Sequence, residues 1–121
     1  MSYPDKNVDI HERAFQFAAK IVVLCDTMNL KPGVNWVLSS QLTKAGTSIG
    51  ANIEEAQAGQ SKADFVAKMS IALKESREAN YWLRLVKETS ASTSEHLPGL
   101  IQESNELMRI LGAIVKSSRL S

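Results

Sequence analysis

Apolar residues recur at spacings of three and four along most of this chain, and polar residues fill the gaps. Ala14, Phe17, Ile21, Leu24 and Met28 form the first such row, which predicts a helix over about 8–30. Lys31-Pro32-Gly33 interrupts it, since proline is tolerated in the first turn of a following helix. Leu38, Leu42, Ala45, Ile49, Ile53 and Ala56 predict a second helix over about 33–58, closed by Gly59. The third, over about 62–90, carries Phe65, Met69, Ala72, Ser76, Ala79, Leu83 and Val86. Ser61 is placed to cap it, with Asp64 three residues on in the manner of a capping box. The small polar run "ETSASTSEH" reads as a connection. Leu97, Leu100, Ile101, Leu107, Leu111, Ile114 and Val115 then predict a fourth helix over about 96–118, with Pro98 in its first turn. Four amphipathic helices on short linkers predict an all-α fold, an antiparallel up-down-up-down four-helix bundle, in one domain spanning 1–121.

The stretch "TKAGTSIGANIEEAQAG", residues 43–59, admits two readings: a glycine-rich phosphate loop, or a helix made thin. The helical period runs straight through it, which a loop has no reason to keep. A phosphate loop also needs Gly-Lys-Ser/Thr at its end and a strand before it, whereas Lys44 precedes the glycines and no strand precedes anything. Gly46 and Gly50 therefore stack on one helix face. Each costs about 1 kcal/mol against alanine, and a neighbouring helix lying close to the bare backbone would offset that.

The third helix has more apolar residues than one seam uses. Ile71, Trp82 and Leu85 project roughly 120° around from that seam, flanked by Glu75 and Glu78. Such a patch marks a self-assembly surface, or else the bundle wraps this helix on two sides. A separate stripe runs Lys74, Arg77, Tyr81, Arg84 at 3-4-3 spacing. Its cations suit phosphates and its tyrosine suits stacking on a base, unless Lys74–Glu78 and Arg84–Glu88 pairs merely solvate this face.

Composition narrows the classes. The formal net charge of +1 gives no bulk attraction to nucleic acid or membrane, so any basic surface is local. The single cysteine, Cys25, cannot form an intramolecular disulfide and sits in the apolar run Ile21–Leu24, as a buried reduced thiol would. No signal core and no membrane-length apolar stretch are present, which predicts a soluble cytoplasmic protein without membrane contact.

Catalytic constellations are missing. "HERAF" at His11 lacks a zincin's second histidine, His96 has no ligand spacing with a cysteine, and no Glu-x-x-His supports a di-iron centre. Glu54-Glu55 and Glu75/Glu78, on consecutive helices, read as surface charge or interface hydrogen bonding. The expectation is a non-enzyme with no metal and no cofactor.

Residues 41–85 resemble a known family through "AGTSIGANIEEA", "SKADF", "ALKE" and "YWL". The resemblance is to the four-helix bundle proteins encoded by intervening sequences in bacterial 23S ribosomal RNA genes. It implies an antiparallel four-helix bundle that assembles as a homopentamer, and so assigns Gly46, Gly50, Ile71, Glu75, Glu78, Trp82 and Leu85 as oligomer-interface candidates. A relative with the same fold is the accessory protein of diversity-generating retroelements, which binds nucleic acid and a reverse transcriptase. By that likeness Lys44, Lys74, Arg77, Tyr81, Arg84 and Lys87 are candidates for contact with RNA or DNA, although this chain lacks that relative's strong positive charge. The expected function is a non-catalytic oligomeric module that contacts nucleic acid or a ribonucleoprotein, the alternative being a purely protein-binding module.

Overall fold

A computed structural model describes residues 10–31, 33–59 and 61–120. Among them every regular element is a helix: α1 (Ile10–Met28), α2 (Val34–Gln57), α3 (Lys62–Glu88) and α4 (Leu97–Leu120). The start expected for α1 near Val8 lies outside the described residues.

Consecutive helices pack as neighbours, and α4 closes the ring onto α1 through a thinner seam. Their directions follow from residue pairs. Gly46 meets Ile21 while Gly50 meets Ala14, so α1 and α2 run antiparallel. Asn80 bonds Ser104 while Ser70 bonds Arg119, so α3 and α4 do too. Between α2 and α3 the Asn35 amide donates to the Ala91 carbonyl at one end, while Gly59 abuts Asp64 at the other. The helices therefore alternate in direction along the chain, as a connection of a few residues between helices of 24 and 27 residues demands.

Most residues the periodicity picked out form the core, whereas Phe65, Ile101 and Ile114 are only partly buried against it. Phe17, Ile21, Leu42, Ile49, Ile53, Met69, Leu83, Leu107 and Leu111 are all buried. Polar positions at the core edge are satisfied locally. Ser76 and Ser104 donate to the carbonyls of Leu73 and Ile101, each at 2.7 Å, and Ser39 donates to the Trp36 carbonyl at 3.0 Å.

Helix ends are set by two devices. The Ser61 hydroxyl accepts from the Asp64 N–H at 3.1 Å, which is the cap read from sequence. At the far end of α3, Ser90 takes a left-handed backbone with φ 56°. There the Ser90 N–H reaches the Lys87 carbonyl and the Ala91 N–H reaches Val86, a Schellman closure without glycine. Gly59 is different: its φ is not positive, and an added Cβ would crowd the Ala56 carbonyl oxygen at 3.1 Å.

Candidate functional site

The stripe on α3 is the most coherent polar feature. Lys74, Arg77, Tyr81 and Arg84 are all exposed along one face. The expected Lys74–Glu78 and Arg84–Glu88 pairs do not form; among the described residues no ion pair joins this stripe to an acid. Arg84 is instead held from below. Its Nε donates to Asn80 Oδ1 at 2.8 Å, while Asn80 spends both amide hydrogens on α4, at Ser104 Oγ (2.9 Å) and Asn105 Oδ1 (3.0 Å). The guanidinium carbon lies 5.9 Å from the Tyr81 ring centre, a cation–π distance. Tyr81 also meets Trp82 edge-on, with centroids 5.1 Å apart. A chain of contacts from the α4 side chains through Asn80 to Arg84 and Tyr81 thus fixes one end of the stripe. Lys87 joins Tyr81 and Arg84 around a shallow depression completed by Leu85, Glu88 and Ile101. Lys44 stands apart, exposed on α2.

The assembly candidates fare unevenly. Gly46 and Gly50 face α1 of the same chain: an added Cβ would come within 2.9 Å of Ile21 Cγ2 at the first and 3.6 Å of the Ala14 backbone at the second. Both glycines thus serve the approach of α1 within the chain. Trp82 and Leu85 are half-buried against the core, so the bundle does wrap α3 on that side. Trp82 Nε1 donates to Glu78 at 3.3 Å, and Glu75 and Glu78 are themselves half-buried. Of the apolar patch only Ile71 is exposed, at 38%.

A larger apolar exposure lies elsewhere. Phe15, Val22 and Val23 on α1, and Val34, Trp36 and Val37 on α2, are all exposed, with Trp36 at 63%. The sequence held a signal for it, since Phe15, Val22 and Val23 fall outside the row Ala14–Phe17–Ile21–Leu24 that one buried face requires.

The thinner α1–α4 seam is closed by charge. Arg13 forms a two-point ion pair with Glu103, Nε to Oε2 at 2.9 Å and Nη2 to Oε1 at 2.7 Å. Glu54 faces His11 of α1 at 3.8 Å. Among the described residues no three His, Cys, Asp or Glu side chains converge as metal ligands. Cys25 is free and buried, and burial pushes its thiol up, partly offset by a hydrogen bond with Thr43. Among the described residues no helix is long and apolar enough to cross a membrane.

The family model for the 23S rRNA-intervening sequence protein matches residues 6–113. The chain belongs to that family. Among curated proteins none matches. A crystal structure of a Bacteroides thetaiotaomicron protein of the S23 ribosomal protein family, described as of unknown function, is 39% identical to it. The match covers 92% of this chain and 98% of the other, with a TM-score of 0.81. Family membership thus brings the all-α fold and leaves the activity to be argued from the surface of this member.

Proposed function

We propose that the protein is a non-catalytic, self-assembling module of the cytoplasm that contacts nucleic acid, RNA foremost, through the exposed face of α3. One observation carries this reading. Lys74, Arg77 and Arg84 share a face with no acid paired to them among the described residues, in a chain whose net charge is only +1. Charges left unpaired on one rigid face suit a polyanion better than they suit solvation, because phosphate contact releases condensed counterions. Repetition of the stripe around a homo-oligomer, a pentamer by the family likeness, would multiply it. The exposed apolar residues of α1 and α2 support association between copies.

The test is titration of a labelled RNA with wild type and with Lys74→Gln/Arg77→Gln. Both positions are exposed, so the fold is unaffected. The double variant should bind more weakly, with a salt slope lower by about two. Equal binding by the two proteins would move the contact off α3. Exposed Trp36 and its apolar neighbours favour a second reading, contact with another protein, and absence of RNA binding even at low salt would select it.

A further inference from the structure

The α3 stripe has a counterpart on α4 that sequence reasoning did not single out. No Asp or Glu follows Glu106, while Arg109, Lys116 and Arg119 do. Two cross-links show which way they face. Asn80 bonds Asn105 at 3.0 Å, and Arg119 Nη2 lies 3.4 Å from Ser70 Oγ, so the outer α3–α4 seam runs between these points. They are ten residues apart on α3, roughly 15 Å along its axis. Between them, by helical projection, Lys74 and Arg77 flank the seam on α3, and Lys116 lies roughly 20° outward of Asn105 on α4. Arg109 is occupied by Glu106, its partner one turn back, and is set aside. Lys116 and Arg119 have no ion pair with an acid among the described residues. The helix dipole accounts for cations near the end of α4, but not for their turning to the side that bears Lys74 and Arg77.

Gly112 sits on the same stripe of α4. A glycine inside a helix is costly against alanine and calls for a reason. Gly46 has one in Ile21, whereas among the described residues no packing neighbour lies within 4 Å of a Cβ added at Gly112. The room over its backbone is open among the described residues.

Resting on the reading of α3 above, we propose that Lys116 and Arg119 join Lys74 and Arg77 in a two-row clamp for the phosphodiester backbone of double-stranded RNA, which approaches over the bare backbone of Gly112. Two rows on adjacent helices, typically 8–10 Å between axes, address charge on two lines rather than one. Tyr81, the aromatic nearest these rows, is 51% exposed but already packed by Arg84 and Trp82, which makes it a poor platform for stacking the bases of a single strand. Duplex RNA is gripped by shape and backbone, which needs none.

The experiment compares a labelled RNA duplex of arbitrary sequence with a single strand of the same length. The proteins are wild type, Lys116→Gln/Arg119→Gln, Gly112→Leu and, as a charge control, Lys20→Gln on α1. The clamp predicts duplex binding at least as tight as single-strand binding, a salt slope lower by about two for the double variant, and no change for the control. Gly112→Leu should melt at a higher temperature yet bind more weakly, a combination that a purely structural role for the glycine does not give. Wild-type binding by both α4 variants, with Lys74→Gln/Arg77→Gln still impaired, would overturn the clamp and leave the α3 reading standing. A clear preference for the single strand, lost in Tyr81→Ala, would overturn the duplex assignment. No binding of any RNA at low salt would remove both.

Discussion

Gly46 and Gly50 are equivalent in sequence, four apart on one helix face, and the structure makes them opposites. At Gly46 a methyl group would meet Ile21 at 2.9 Å, with the Ile21 Cβ itself only 3.2 Å away and the side chain fully buried. Ile21 cannot swing clear, so Gly46→Ala should destabilise by about 1–2 kcal/mol even after the gain in helix propensity. At Gly50 the nearest atoms are 3.6 Å away, ordinary contact, and Gly50→Ala should stabilise by about 0.5–1 kcal/mol. Chemical denaturation of the two variants checks the opposite signs. Close helix approach was legible from the unbroken period through residues 43–59. Which glycine is obligatory was not, because that depends on whether Ile21 or the small Ala14 lies opposite. Cys25 is a second case. Its raised thiol keeps its proton in the folded state to higher pH than in the unfolded chain. Its contribution is therefore complete below the ordinary thiol range, about pH 8.5, and is lost as pH rises beyond it. The stability difference between wild type and Cys25→Ala should shrink as pH rises above about 8.5 in unfolding titrations.

Element ends and cross-links behave as separable parts. Ser90 holds a left-handed conformation that costs an L-residue about 1–2 kcal/mol. Ser90→Gly keeps the Schellman closure and relieves that cost, so the melting temperature should rise by several degrees, a change of about 1 kcal/mol. Nothing in "ETSASTSEH" marks which of its small residues takes the turn, so the strain was invisible before the backbone was known. The Ser61 cap was legible because its signal is local: hydroxyl, three-residue spacing and acidic partner all lie within one turn. Asn80 joins α3 to α4 while orienting Arg84, and its amide has every group bonded. Asn80→Ala should cost about 1–3 kcal/mol, since Ser104 and Asn105 lose a buried donor. It should also free Arg84 from Tyr81, seen as a change in tyrosine environment by near-ultraviolet circular dichroism.

Across the whole molecule, the order and pairing of helices followed from periodicity and linker length, because short connections leave few ways to bury four apolar faces. Surfaces were harder to read. The row Ile71–Trp82–Leu85 looked exposed in a helical projection, yet the core reaches Trp82 and Leu85, and a wheel cannot say how far a neighbour wraps. Conversely, the apolar face of α1 and α2 was hidden among residues that looked like core. The basic stripe on α3 was legible as spacing, but that no acid among the described residues pairs with it depends on how neighbouring side chains turn. The most direct measurement is affinity of the unmodified protein for a labelled RNA as a function of salt. With Lys74, Arg77 and Arg84 on α3 and Lys116 and Arg119 on α4 contacting phosphate, the account predicts that log affinity falls linearly with log salt, with a slope of about −4 to −5 between about 50 and 200 mM. A flat dependence, or no binding at the lowest salt, would contradict it.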